Sequence, residues 1–210
     1  MHDRSRRLLS AALFLICIIL PPFAHAGGGV YAGGKTGVSV NKADGASAGS
    51  GRHASSTYGL LLGYGFAPET GLPLRLELEG SFRGGDQTLS YNSSLGNRLE
   101  INFSLGLMLQ GWLELPVSEK IRSYAGGGAG VVMAHYKARR AGRREERNDA
   151  WSRAWMLGGG INWKALESIW LDLGYRYTEA NHFAAEFKAL PDYDFKIRSH
   201  DVQLGIRVEF

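Results

Sequence analysis

The sequence has 210 residues, a length that suits one domain. Its net charge of +4 and its charged fraction of 21% are too mild to indicate a particular partner. Glycine is abundant, at 29 residues, but it follows no collagen-like period and aromatic residues reach 11%, so the composition excludes collagen and argues against disorder.

The first 26 residues have the three parts of a secretory signal peptide. A region with three arginines precedes an apolar run over 8–20, and Ala24-His25-Ala26 fits a cleavage site. We therefore predict a signal peptide over 1–26 and a mature domain over 27–210, with a retained N-terminal anchor as the alternative. The only cysteine, Cys17, lies in the apolar run, so the mature chain is predicted to have no disulfide.

From residue 30 onward, segments that alternate between apolar and polar side chains are separated by turn-rich segments. Successive side chains of a strand point to opposite faces, so this alternation predicts strands. The eight predicted strands cover 30–40, 56–66, 72–83, 99–115, 120–136, 151–164, 168–178 and 197–210.

The fourth of these segments, 99–115, has the clearest pattern. Its odd positions are apolar except for Gly111, whereas its even positions are polar, small or amphipathic. A helix would scatter the leucines around its whole circumference. The segment is also longer than the 9 to 11 residues that a tilted strand needs to cross a membrane. The fifth segment contains the run 126–128 of three glycines, so its facing is the least certain.

The connections between the predicted strands are long and short in turn. The long ones are 41–55, 84–97, 137–150 and 179–196, and the short ones are 67–71, 116–119 and 165–167. Antiparallel membrane barrels have short periplasmic turns, longer external loops and, in bacterial single chains, an even number of strands. The rhythm therefore predicts a barrel with both termini on the periplasmic side.

The two faces of the strands distinguish a membrane barrel from a soluble one. The interior of an eight-stranded barrel holds only a modest filling of side chains, too little for about thirty large apolar residues. In a bilayer the same residues face lipid and the charged faces line the lumen. Six aromatic residues are predicted on the lipid-facing side, as an interfacial girdle requires: Tyr58, Tyr64, Trp155, Trp163, Tyr175 and Tyr177.

Four segments resemble one family, the small eight-stranded outer-membrane barrels of the opacity-protein and OmpA type. They are 75–79 (RLELE), 124–130 (YAGGGAG), 173–178 (LGYRYT) and 200–210 (HDVQLGIRVEF). The resemblance implies that the last segment is the signal read by the barrel-assembly machinery, through Leu204, Ile206, Val208 and Phe210. No peptidoglycan-binding domain is expected after Phe210.

The polar faces carry charges of both signs on neighbouring strands. We predict that these side chains form a salt-bridged plug that closes the lumen, with a narrow ion pathway as the alternative. The predicted lumen network consists of Arg75, Glu77, Glu79, Glu100, Asp172, Arg176, Arg207 and Glu209.

The predicted external loop 137–150 is strongly basic. Its cations are a solvated surface, or they bind phosphates of lipopolysaccharide or an anionic host polysaccharide. Nucleic acid is excluded because the loop faces the cell exterior. The cations are Lys137, Arg139, Arg140, Arg143, Arg144 and Arg147.

An enzyme that edits lipid A would need a serine, a histidine base and an orienting carboxylate. His53 lies near Ser55, and His182 has no serine beside it. The trio Ser199, His200 and Asp201 is the best local set, but successive residues of a strand point to opposite sides. No metal-ligand spacing or nucleotide motif is present, so we predict no catalytic residues, metal or cofactor.

The sequence therefore predicts an all-β, eight-stranded, antiparallel up-and-down transmembrane barrel in a Gram-negative outer membrane. We expect a monomeric, non-enzymatic surface protein with a structural or adhesive role through its external loops. Its expected partners are outer-membrane lipid, lipopolysaccharide, the barrel-assembly machinery and an anionic host surface. The alternatives are a lipid A-modifying enzyme and a narrow ion-conducting pore.

Overall fold

A computed structural model describes residues 29–45, 48–66, 73–90, 98–139, 146–185 and 193–210. The predicted signal peptide over 1–26 lies outside this part of the chain. Eight strands make up nearly all of the described residues, and these contain no helix that is long and apolar enough to cross a membrane. The strands are β1 (Gly29–Gly45), β2 (Ala48–Gly65), β3 (Leu74–Ser90), β4 (Arg98–Pro116), β5 (Ile121–Arg139), β6 (Glu146–Leu166), β7 (Ile169–Ala185) and β8 (Tyr193–Glu209).

Each strand pairs antiparallel with the next, and β1 also pairs with β8, so the sheet closes into a barrel. The closing seam runs from the pair Tyr31 and Glu209 to the pair Gly45 and Phe195. Because the barrel has no free edge, the backbone donors and acceptors of the strands are satisfied within the sheet. The predicted all-β, eight-stranded, up-and-down topology is confirmed.

The outward face of the wall is apolar and the inward face is polar. Leu60, Leu109 and Leu204 are 56%, 60% and 61% exposed, whereas Glu79 and Asp201 are fully buried inside. A soluble barrel has the opposite distribution, because its leucines would fill the centre. The arrangement suits a wall surrounded by hydrocarbon.

The ends of the barrel differ. The connections Val117–Lys120 and Glu167–Ser168 are tight, and both termini of the barrel lie at the same end as these turns. At this end the Val117 amide donates a hydrogen bond to the Ile121 carbonyl at 2.9 Å. We call this end of the barrel the turn end. We call the opposite end, where β1–β2, β3–β4, β5–β6 and β7–β8 are joined, the hairpin end.

The strands continue beyond their predicted limits at the hairpin end. Within the predicted loop 41–55, β1 reaches Gly45 and β2 begins at Ala48, and within 137–150, β5 reaches Arg139 and β6 begins at Glu146. In the same way β3 reaches Ser90 within 84–97, and β7 reaches Ala185 and β8 begins at Tyr193 within 179–196. All four long-loop predictions are wrong in this respect. Above the apolar band both faces of a strand meet water, so pairing continues without the alternation by which a strand is recognised.

A charged lumen and a basic hairpin end

One carboxylate lies at the centre of the lumen, and its contacts involve four strands. Glu79 on β3 accepts hydrogen bonds from Arg176 on β7 at 2.6 Å and from Gln110 on β4 at 3.1 Å. The Lys35 ammonium on β1 is 3.4 Å from the same carboxylate oxygen that accepts the bond from Gln110. Three donors from three strands therefore meet one buried negative charge, which holds opposite walls of the barrel together.

From Glu79 the network runs towards the hairpin end. Arg176 also donates to Asp201 on β8 at 3.2 Å, and Asp201 accepts a second bond from Arg83 on β3 at 2.7 Å. Because Arg176 bridges two carboxylates and Asp201 bridges two guanidinium groups, β3, β7 and β8 are linked across the lumen.

A second group of contacts fills the lumen towards the turn end. Glu77 accepts hydrogen bonds from the Tyr31 hydroxyl at 3.0 Å and the Trp112 indole at 2.9 Å. Tyr31 and Trp112 are buried, and Lys35 lies 3.3 Å from the Glu77 carboxylate. Glu77 thus shares the Lys35 ammonium with Glu79, and it is also paired with Arg75, whose Nε atom lies 3.2 Å away.

Glu114 on β4 collects the donors nearest the turn end. It accepts hydrogen bonds from Arg75 at 2.6 Å, Asn162 at 2.9 Å, Arg207 at 3.2 Å and Arg122 at 3.4 Å. These five residues come from β3, β6, β8, β5 and β4, so one carboxylate joins five strands.

Aromatic rings occupy the space that the charged groups leave. The Trp112 and Tyr124 rings meet edge to face with centroids 5.2 Å apart, and the Arg75 guanidinium lies 5.0 Å from the centre of the Tyr124 ring. The Arg207 guanidinium lies 4.8 Å from the Tyr31 ring and 5.3 Å from the buried Trp170 ring. Stacked rings and guanidinium groups leave little open cross-section near the turn end.

The glycine run of β5 makes room for these large side chains. Gly126, Gly128 and Gly130 pair directly with Trp112, Gln110 and Met108 of β4. A methyl group added to any of the three glycines would lie within 3.0 Å of its partner's side chain. Three bulky side chains of β4 can therefore extend across the lumen because β5 has no side chains there.

Towards the hairpin end, a layer of uncharged polar side chains on β1, β2 and β8 lies in the lumen. Asn41 of β1 donates to the Ser55 hydroxyl of β2 at 2.8 Å, and its carbonyl oxygen accepts bonds from Ser39 at 3.0 Å and Ser199 at 2.6 Å. Asn41 and its three serine partners are buried. This layer covers the charged network on the outer side.

At the hairpin end itself, the strand register brings cations together. Lys137 of β5 is paired with Arg147 of β6, and Arg139 of β5 is paired with Arg98 of β4. Like charges directly opposite each other destabilise a strand pair. Lys137 has an acidic neighbour on its other side, Glu100. We call Arg98, Lys137, Arg139 and Arg147 the basic edge.

Comparison with known proteins places this architecture in a family. The family model described as "Outer membrane protein beta-barrel domain" matches residues 10–210. The chain belongs to this family. In bacterial barrels of this kind the short turns face the periplasm, so the hairpin end faces the cell exterior.

Individual relatives agree with the assignment to this family. The chain is similar to outer membrane protein PagN of Salmonella typhimurium, with 29% identity over 176 residues that cover 72% of each chain. It is similar in fold to Neisserial surface protein A (NspA), with 16% identity, a TM-score of 0.53 and coverage of 86% of this chain and 97% of NspA. For OprG of Pseudomonas aeruginosa the values are 15%, 0.51, 87% and 96%.

The eight residues of the predicted lumen network are not all in one place. The structure brings six of them into the lumen as buried side chains. Glu209 lies at the periplasmic rim, 3.3 Å from Arg207. Glu100 lies near the outer end of β4, paired with Thr88 and Lys137, and its side chain is outside the described part. The six are Arg75, Glu77, Glu79, Asp172, Arg176 and Arg207.

Sequence reasoning left several members of the network unnamed, although they occupy the inward positions of the same strands. Asp172 is held by the Tyr124 hydroxyl at 3.0 Å rather than by an ion pair among the described contacts. The unnamed members could have been found by extending the alternation along each strand. They are Lys35, Arg83, Gln110, Glu114 and Asp201.

The candidate catalytic trio is divided by the barrel wall. Ser199 and Asp201 point into the lumen, whereas His200 faces outward with its Nδ1 atom 2.7 Å from the Tyr175 hydroxyl. Ser55 is buried against Asn41. The side chain of His182 lies outside the description. Within the described residues, no group of three or more acidic, histidine or cysteine side chains could hold a metal ion.

Proposed function

We propose that this protein is a non-enzymatic surface protein of the outer membrane whose basic edge binds anionic polysaccharide outside the cell. The observation that carries the proposal is the pairing of like charges at the basic edge. Arg139 is paired in register with Arg98, and Lys137 with Arg147, in adjacent strand pairs. A sulfated or phosphorylated chain would relieve the repulsion of these cations, because its anionic groups lie between them.

The length of the strands supports an external role. β5 and β6 have 19 and 21 residues, about twice the 9 to 11 that cross a bilayer. Since the turns at the periplasmic end are tight, the excess length lies outside the cell. The basic edge therefore lies beyond the apolar wall on the paired ends of β4, β5 and β6.

The filled lumen argues for a function outside the barrel rather than through it. Among the buried or nearly buried side chains of the described lumen, five cations face five carboxylates, and the more exposed Arg122 joins Glu114 at the turn end. Aromatic rings occupy the remaining space. An eight-stranded barrel has an interior just wide enough for its own side chains. We therefore propose a plug in place of the ion-conducting alternative. The ten charged groups are Lys35, Arg75, Arg83, Arg176, Arg207, Glu77, Glu79, Glu114, Asp172 and Asp201.

The division of Ser199, His200 and Asp201 by the wall supports the non-enzymatic part of the proposal. A general base must lie within hydrogen-bond reach of the group from which it removes a proton. We expect lipid A extracted from cells that overproduce the protein to have the same mass spectrum as lipid A from control cells. A new deacylated or otherwise modified species would contradict this part.

Export through a cleaved signal peptide and insertion by the barrel-assembly machinery complete the proposal. The mature protein is expected to be a monomer in the outer membrane that begins at Gly27. N-terminal sequencing of protein from the outer-membrane fraction tests the cleavage position. Retention of residues 8–20 in the mature protein would contradict it.

Binding to an anionic polymer tests the basic edge. Replacing Arg139 and Arg147 with Gln is expected to weaken binding of dextran sulfate about tenfold, because each exposed ion pair contributes up to about 1 kcal/mol. Binding by the wild-type protein should also fall as salt is added. The measurement is a titration of the folded, detergent-solubilised protein, with folding checked by its heat-dependent shift on a gel.

The matched control is Lys120→Gln, which removes an exposed cation from a periplasmic turn. Binding should be unchanged in this variant. Equal loss in both variants would show that the polymer responds to net charge alone, and an undiminished affinity after Arg139→Gln and Arg147→Gln would refute the role of the basic edge.

A further inference from the structure

The turn end of the barrel, which faces the periplasm, has a group of cations around one buried aromatic ring. The ring is the indole of Trp170 on β7, and three strands bring a cation against it. The Arg122 guanidinium is 4.5 Å from the centre of the ring, the Arg207 guanidinium 5.3 Å and the Lys164 ammonium 5.8 Å. We call Arg122, Lys164, Trp170 and Arg207 the periplasmic cluster.

The carboxylates near the periplasmic cluster do not match its three cations. Glu114 accepts hydrogen bonds from Arg122 and Arg207, but it is shared with two further donors of the lumen. Glu209 lies 3.3 Å from Arg207. In the described part of the chain, no carboxylate forms an ion pair with Lys164. One positive charge of the cluster therefore has no negative partner among the described side chains.

The periplasmic cluster also contains buried donors that have no acceptor. Trp170 Nε1 and Arg207 Nε are both buried, and neither donates a hydrogen bond to another described group. Indole, guanidinium and ammonium groups can donate hydrogen bonds but cannot accept them. Buried polar groups are normally paired, so an acceptor is missing from the described residues. The unmatched charge of Lys164 favours an acceptor that is negatively charged.

The side of the mouth opposite the periplasmic cluster has space. Gly29 of β1 pairs with Gly65 of β2 at the periplasmic ends of the two strands, on the inward face that Tyr31 also occupies. A methyl group added at Gly65 would have one neighbour within 4 Å, the Gly29 carbonyl oxygen at 3.7 Å. Two inward glycines thus leave room at the mouth of the barrel for a small group that enters from the periplasm.

We propose that the periplasmic cluster binds a carboxylate group from the periplasm, on a small acid or at the end of a peptide chain. Lys164 is half-buried and the Arg122 side chain is 37% exposed, so these two cations would contact the carboxylate first. Because both also lie against the Trp170 ring, the bound carboxylate would be next to the unpaired donors of Trp170 and Arg207.

The position of the periplasmic cluster argues against a lipid headgroup as its ligand. Its side chains are on the inward face of the wall, and the strands separate them from the surrounding bilayer. The cluster and the basic edge lie at opposite ends of the barrel. Binding at one end therefore does not depend on binding at the other.

NMR spectroscopy of the folded, detergent-solubilised protein tests the proposal, with acetyl-dialanine as the probe. The signal of the Trp170 indole N–H, assigned by its loss in Trp170→Phe, is expected to shift until the site is saturated. The amide of the same peptide has no terminal charge and should leave the signal in place. Acetate is the second carboxylate probe: weaker binding than that of acetyl-dialanine would support a peptide end, and equal binding a small acid.

The variants test the cation and the space separately. Lys164→Gln is expected to weaken binding of acetyl-dialanine about fivefold, as expected for the loss of one partly exposed ion pair. The matched control is Lys120→Gln, which removes an exposed cation at the same end of the barrel and should leave the affinity unchanged. Gly65→Val keeps every charge but fills the space at the mouth, and it should also weaken binding. Folding of each variant is checked by its heat-dependent shift on a gel.

Four results would overturn the proposal. They are an equal shift with the peptide amide, unchanged affinity in Lys164→Gln, tighter binding of inorganic phosphate than of either carboxylate, and tighter binding in Glu69→Gln. The last would show that the carboxylate of Glu69, in the connection between β2 and β3, is itself the partner. The variant with Arg139→Gln and Arg147→Gln should bind acetyl-dialanine as the wild type does, so failure of the basic edge can be told apart from failure of this site.

Discussion

Replacing Glu79 with Gln is expected to lower the free energy of unfolding by about 3 kcal/mol or more. Glu79 is completely buried and contacts both Arg176 and Lys35. Arg176 keeps Asp201 and Lys35 keeps Glu77 in this variant, but the buried network is left with one excess cation that cannot be solvated. Breaking a buried ion pair in this way costs about 3–5 kcal/mol. Unfolding by urea in lipid vesicles, followed by tryptophan fluorescence, measures the change.

Two further variants show whether burial and pairing are the cause. Glu209→Gln removes the same kind of charge from the rim, where the side chain is 35% exposed, and should change stability by less than about 0.5 kcal/mol. Combining Glu79→Gln with Arg176→Met should recover part of the loss, because it removes the excess buried cation while Asp201 keeps its contact with Arg83. Equal effects of the two glutamate variants would show that the central network does not stabilise the barrel.

The second large effect is expected from Gly126→Ala on β5. A methyl group at this position would lie 2.0 Å from the Gly111 carbonyl oxygen and 2.9 Å from the Trp112 ring. The backbone and a large buried ring must then move, and overpacking of this kind costs about 1–3 kcal/mol. The same urea titration measures it, and the near-ultraviolet dichroism of Trp112 should change as well.

Gly80→Ala is the matched control, because nothing lies within 4 Å of a methyl group added at Gly80. Alanine also restricts the unfolded chain more than glycine does, so this variant should be as stable as the wild type or slightly more stable. If both alanine variants behave alike, the glycines of β5 do not serve to make room for the side chains of β4.

The alternation of side chains was sufficient to predict the number of strands, their order and their two faces. Each strand between the lipid and the lumen must satisfy two different surroundings, so its pattern has a period of two. Leu60 and Leu109 face outward and Arg75 and Glu79 face inward, as that period requires. The glycine run of β5 has no such contrast, and its facing is known only from its neighbours Tyr124 and Val132, which are buried inside.

The contacts inside the lumen could not be predicted in the same way. Arg176 and Glu79 are 97 positions apart, and they meet only because the tilt and register of eight strands bring β7 opposite β3. The alternation gives the side of a strand but not its height relative to the strands across the barrel. Glu100 is predicted in the network because it continues the even positions of β4, but the register shifts between Ile101 and Phe103, so the alternation is interrupted before it reaches Glu100.

The seam between β1 and β8 has a consequence for truncated forms of the protein. β1 is synthesised first of the eight strands but can pair with β8 only after β8 has been made. The Phe210 amide, next to the end of β8, donates a hydrogen bond to the Val30 carbonyl at 3.0 Å. A premature stop codon before β8 would leave one edge of β1 and one edge of β7 with unpaired N–H and C=O groups. The hydrocarbon of the bilayer has no groups that could hydrogen-bond to them. Losing β8 alone is therefore expected to be as harmful as losing half of the barrel, and the product would be cleared by proteases rather than kept as a shortened barrel.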